Sequence, residues 1–94
     1  MDVSENLLIE YALDFERKGN YPAAIEVVKY IIRNNPESAD LYHGLGDMYR
    51  NSDQYELAME TFKKGLTLAE KNSNQDMIDL FKQHIVELKQ LMNK

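Results

Sequence analysis

Apolar residues recur with helical spacing in five separate stretches of the chain. Leu8, Tyr11, Ala12 and Phe15 fall at i, i+3, i+4 and i+7, which is one face of a first helix. Gly19 ends it, because glycine takes the left-handed conformation without steric cost. Asn20 caps the next helix through its side-chain oxygen, and Pro22 is accommodated in that helix's first turn. The second helix carries Ala24, Ile25, Val28, Ile31 and Ile32. It stops before Pro36, since the residue ahead of a proline is pushed out of helical geometry. A third helix carries Leu41, Tyr42, Leu45, Gly46 and Tyr49 and fades at Asn51-Ser52. Asp53 with Glu56 three residues on predicts a capping box that opens a fourth, whose apolar positions are Tyr55, Ala58, Met59, Phe62 and Leu66. Lys71-Asn72-Ser73-Asn74 breaks it, and Ser73 with Asp76 predicts the start of a fifth helix. No segment alternates with period two, so the fold class is all-α. Connections of two to four residues make consecutive helices antiparallel neighbours.

The first four helices repeat. A shift of 34 residues lays Leu7 on Leu41, Leu8 on Tyr42, Tyr11 on Leu45, Ala12 on Gly46 and Phe15 on Tyr49. In the second helix of each pair, Tyr21 meets Tyr55, Ala24 meets Ala58, Val28 meets Phe62 and Ile32 meets Leu66. Large positions match large ones and small match small, and the small ones permit close approach within a hairpin. A self-match at fixed period signals stacked supersecondary units. The fifth helix is no clean third copy. At the best register Ile78, Phe81 and Ile85 match, but Lys82 falls where a small residue is needed. Residues 74–93 therefore read as a capping helix that covers the open flank of the second hairpin.

Tyr42-x-x-Leu45-Gly46-x-x-Tyr49, followed by Tyr55, Ala58 and Phe62, resembles the tetratricopeptide repeat (TPR). The first copy adds Gly19-Asn20-Tyr21, Ala24 and Pro36; the departures are Tyr11-Ala12 for Leu-Gly, Gly65 where alanine is commoner and Glu70 where a closing proline is usual. The resemblance implies an α-α superhelix of five antiparallel helices in a single domain over residues 1–94. Repeat one spans about 5–38, repeat two about 39–72 and the cap about 74–93. It also implies a non-catalytic protein-interaction module, binding a peptide or partner protein on a concave face lined by helices one and three. The candidate groove residues are Asn6, Ile9, Glu10, Leu13 and Arg17 from helix one, with Asp40, His43, Asp47 and Arg50 from helix three. Ile9 and Leu13 lie off the core stripe and are candidate anchors for a partner's apolar side chain. They and Gly44 stand where carboxylate-clamping members of the family carry Lys and Asn, so a clamp for a peptide's terminal carboxylate is not expected.

Composition narrows the function classes. Ninety-four residues make one domain, and the absence of cysteine excludes disulfides, thiolate nucleophiles and cysteine-ligated zinc. Eleven Lys and Arg against sixteen Asp and Glu leave a net charge of −5, which argues against nucleic-acid binding, because that needs a basic face. The acidic start Met1-Asp2-Val3-Ser4-Glu5 and the lack of a long apolar run predict no secretion signal and no membrane association. A cytoplasmic location is the expectation.

No catalytic constellation is present: there is no Gly-x-Ser-x-Gly, no phosphate-cradling glycine loop and no His-Glu-x-x-His. His43 with Asp40 and Asp47 forms a polar face that is expected to be solvated rather than metal-binding, so neither cofactor nor metal is expected. His84 falls in the apolar stripe of helix five and is expected to be packed, with a hydrogen-bonded ring nitrogen. That stripe runs from Met77 to Met92 and fills an arc of about 160°, against the ~100° a surface helix needs. Its excess width makes a homodimer through helix five the alternative function.

Overall fold

The computed structural model describes residues 4–94. Met1–Val3, where the argument about a secretion signal begins, lie outside the described residues. Five helices follow one another: α1 (Glu5–Arg17), α2 (Tyr21–Asn34), α3 (Ala39–Asn51), α4 (Tyr55–Lys71) and α5 (Gln75–Met92). Each packs on the next in sequence, and α3 also touches α5. The odd-numbered helices thus share one side of the stack. No helix is long and apolar enough to cross a membrane.

Three of the four connections are built alike, and they correct the expected helix starts. After α1, the Gly19 N–H donates to the Glu16 carbonyl, and the Asn20 N–H reaches back to the Phe15 carbonyl at 2.8 Å. Asp53 and Gln54 repeat this pair of bonds after α3, and Ser73 and Asn74 repeat it after α4. This is the Schellman closure, in which the residue after the helix turns left-handed. Gly19 (φ 77°), Asp53 (φ 65°) and Ser73 (φ 54°) all do so. Asp53 and Ser73 therefore end helices rather than start them. The N-caps are the following residues, Gln54 and Asn74, and Asn74 accepts from the Met77 N–H. Asp53 accepts instead from the Tyr55 hydroxyl at 3.2 Å. Ser73 makes an L-residue adopt a conformation that disfavours its Cβ. Ser73→Gly is expected to raise stability by about 0.5–1 kcal/mol in a denaturant melt.

The core forms where the repeated apolar faces meet. Ala24, Ala58, Phe62, Ala69, Phe81 and Leu88 have no exposed surface. Phe62 of α4 lies over Gly46 of α3, and Phe81 of α5 lies over Gly65 of α4. A Cβ at either glycine would stand closer than 3.0 Å to the ring atoms above it. Gly65 is thus no casual departure from alanine: it is the seat of the largest side chain of α5. One residue of the α1 stripe is clearly exposed. Tyr11 is 50% exposed, whereas its equivalent Leu45 is buried. Leu45 has α2 beside it, and α1 has no helix on the corresponding side among the described residues.

Candidate functional site

His43, Asp47 and Arg50 occupy i, i+4 and i+7 of α3, so they form one line along its face. The Arg50 Nη2 donates to Asp47 Oδ1 at 2.9 Å, and His43 Nε2 stands 3.5 Å from Asp47 Oδ2. Their side chains are only 25–28% exposed. The 34-residue shift places Ile9, Leu13 and Glu16 of α1 at the matching positions. Desolvation of Glu16, together with the negative charge of Asp47, holds the Glu16 carboxyl above the usual glutamate range. The two helices therefore bring carboxylates together on this side.

α5 completes the line. His84 Nε2 lies 3.1 Å from His43 Nε2, and His84 Nδ1 lies 3.2 Å from Arg50 Nη1 and 3.3 Å from Glu87 Oε1. His84 stacks on Phe62 with ring centroids 5.2 Å apart and an angle of 14°, while His43 meets Phe81 edge-on at 6.0 Å. Both imidazoles thus rest on the aromatic core with their polar edges turned to one another. His84 is packed and hydrogen-bonded, as its place in the α5 stripe predicts.

Of the nine residues expected on the groove, His43, Asp47 and Arg50 come together in this network. Leu13 is 46% exposed, Ile9 is half-buried, and Asn6, Glu10 and Asp40 are exposed. Arg17 is turned along its own helix, where its guanidinium is 3.5 Å from Asp14. The Lys18 ammonium, at 2.9 Å, and Arg17 together hold the Asp14 carboxyl below its usual range. Asp40 is not part of the cluster that the His43-Asp40-Asp47 spacing suggested; His84 takes that place. Sequence reasoning places Glu16 on the groove face of helix one, but it missed Glu87 and the contact between the two histidines.

The shifted carboxyl gives a pH prediction. Glu16 binds its proton more tightly folded than unfolded, so its ionised form opposes folding above the ordinary glutamate pKa of ~4.3. Glu16→Gln is expected to raise the thermal midpoint at pH 7. The gain should shrink with added salt and disappear below pH ~4, where both proteins are neutral at this position.

Residues 39–72 match the tetratricopeptide repeat family model. No curated protein matches the chain. Two solved structures share its fold, both of a tetratricopeptide repeat domain protein from Salinibacter ruber. The solution NMR structure is 18% identical with a TM-score of 0.81 and covers 88% of this chain and 84% of that one. The crystal structure is 17% identical with a TM-score of 0.80 and covers 95% and 99%.

Proposed function

We propose that this chain, whose residues 39–72 match the tetratricopeptide-repeat family model and whose described residues share that fold, is a non-catalytic module that binds an extended peptide along the face of α1, α3 and α5. Two repeats and a capping helix form its single domain. The observation that carries this reading is the exposure of Leu13 beside the Glu16–Asp47 carboxylates. A 46% exposed leucine, one turn after half-buried Ile9 on a face that also carries Glu16, Asp47 and Arg50, suits a partner's apolar anchor. Arg50 is engaged by Asp47 and Arg17 by Asp14, so the charge left over on this face is negative. The peptide that fits carries an apolar residue flanked by Lys or Arg.

Selection from a random 12-residue peptide library tests the reading. Enriched peptides should carry that pattern, and fluorescence anisotropy should show affinity falling as salt rises. Leu13→Asp, at a position exposed enough to leave the fold intact, should weaken binding about tenfold or more. Selected peptides that bind Leu13→Asp and the parent equally would place the site elsewhere.

Self-association through α5 is the second reading. Val86, Leu91 and Met92 are 54%, 37% and 41% exposed, and Leu91 and Met92 border a cleft of about 520 Å³ with Leu57. The surplus width of the α5 stripe thus emerges at the helix's end. Light scattering at millimolar protein concentration decides it, since a monomer there removes this reading.

A further inference from the structure

We infer that His43, Asp47 and His84 form a binding site for one divalent transition-metal ion, of which zinc is the natural occupant. His43 Nε2 is 3.1 Å from His84 Nε2 and 3.5 Å from Asp47 Oδ2, and the three donor atoms all lie within 4.8 Å of one another. Zinc bonds imidazole nitrogen at about 2.0–2.1 Å and carboxylate oxygen at about 2.0–2.2 Å. Neighbouring corners of such a tetrahedron are therefore ~3.3–3.5 Å apart. The His43–Asp47 edge, at 3.5 Å, already has this size, and the His43–His84 edge, at 3.1 Å, must open slightly. Three protein donors with a fourth position open is the arrangement of zinc sites that admit an exchangeable ligand. Here the partial exposure of all three side chains leaves that position to solvent.

The contacts around the donors suit the same purpose. A metal-bound imidazole is usually held by a carboxylate on its other nitrogen. Glu87 Oε1 stands 3.3 Å from His84 Nδ1. Arg50 holds Asp47 through Oδ1 and leaves Oδ2 facing His43. Phe62 and Phe81 fix both rings from beneath, so little side-chain freedom remains to be lost on binding.

Ring chemistry explains what the ion replaces. Two Nε2 atoms 3.1 Å apart need a proton between them, since two facing lone pairs repel. Without metal, Arg50 donates to His84 Nδ1, and the proton on His84 Nε2 is donated to His43. With metal, the Arg50 Nη1 gives up its contact with Nδ1, and the His84 proton moves to Nδ1 and is donated to Glu87, which turns the Nε2 lone pair to the ion. The ion thus displaces one shared proton and ties α5 directly to α3. Sequence spacing did not suggest this set, because its donors come from helices 41 residues apart.

Calorimetric titration of the intact chain with zinc chloride tests the site. One ion per chain is expected, with a rise in thermal midpoint as zinc increases. His43→Gln and His84→Gln should each weaken binding at least tenfold and abolish the midpoint shift, and Glu87→Gln should weaken it about tenfold. Should His84→Gln fail to fold, His43→Gln decides alone, because its side chain is 28% exposed. A hundredfold excess of magnesium should leave zinc bound, since magnesium prefers oxygen donors. Zinc binding unchanged in His43→Gln, displaced by magnesium, or absent from the parent would overturn the assignment.

Discussion

Gly65→Ala is expected to destabilise the domain by about 2 kcal/mol, although alanine is the residue more usual at that position of the repeat. A Cβ there falls within 3.0 Å of the Phe81 ring, which has no exposed surface, so the buried ring itself must shift. Overpacking of this kind costs about 1–3 kcal/mol, and the gain of about 0.5–1 kcal/mol from replacing a helical glycine offsets only part of it. Gly46→Ala should behave alike, because its Cβ meets the equally buried Phe62 ring. Gly44 supplies the internal control. It lies two residues away on the same helix, and a Cβ there meets nothing within 4 Å. Gly44→Ala should therefore stabilise by about 0.5–1 kcal/mol. Thermal midpoints should fall by about 10 °C at 65 and 46 and rise by a few degrees at 44, given ~4–8 °C per kcal/mol in a domain this size. Shifts of one sign at 44 and 46 would show that helix propensity, not ring packing, decides at these positions. Gly65→Ala combined with Phe81→Leu should recover part of the loss, and the double-mutant cycle measures how much belongs to that contact.

The same contacts show which features of the fold were legible in the sequence. Leu45, Tyr49, Ala58 and Phe62 could be read as core because burial acts on every turn of a helix and leaves a period behind. The 34-residue match follows from the same cause: two hairpins that bury the same faces must carry the same sizes in the same order. The helix ends were less legible. Asp53 and Ser73 are good N-cap residues in isolation, and only the backbone shows that each is the left-handed closure of the preceding helix. Gly19 occupies the same structural position, and aligning Gly19 with Asp53 would have exposed the error. The need for Gly65 depends on where Phe81 lands, which is a fact about the angle of α5 rather than about periodicity. The pairing of His43 with His84 was hidden for the same reason. Each looked ordinary on its own helix, and their contact is set by how closely α5 lies on α3. Local patterns thus identified the elements, while the chemistry on the shared face depended on packing between elements distant in sequence.

Phe81→Ala is expected to be the most damaging single truncation, costing about 3–5 kcal/mol against the ~5–10 kcal/mol that holds a domain of this size together. The removed ring faces Gly65, which has no side chain to fill the space, so the cavity stays open and the cost should lie toward the upper end. The loss also spreads. The Phe81 ring centroid lies 6.2 Å from that of Phe62 and 6.0 Å from that of His43, so truncation loosens α4 and the histidine pair as well as α5. Ile85 and Leu88 are the other buried anchors of α5, and with Phe81 gone they must hold that helix alone. Val86→Ala serves as the control on the same helix, because a side chain 54% exposed should change stability by less than about 0.5 kcal/mol. In a urea titration followed by circular dichroism, Phe81→Ala should lower the midpoint without changing the slope if α5 unfolds together with the hairpins. A shallower slope, with helix content reduced by about one-quarter before the main transition, would instead mean that α5 detaches from two hairpins able to stand without it. That outcome would separate α5 from the folding unit, and the contact between α5 and α3 would then be a docking equilibrium rather than a fixed part of the fold.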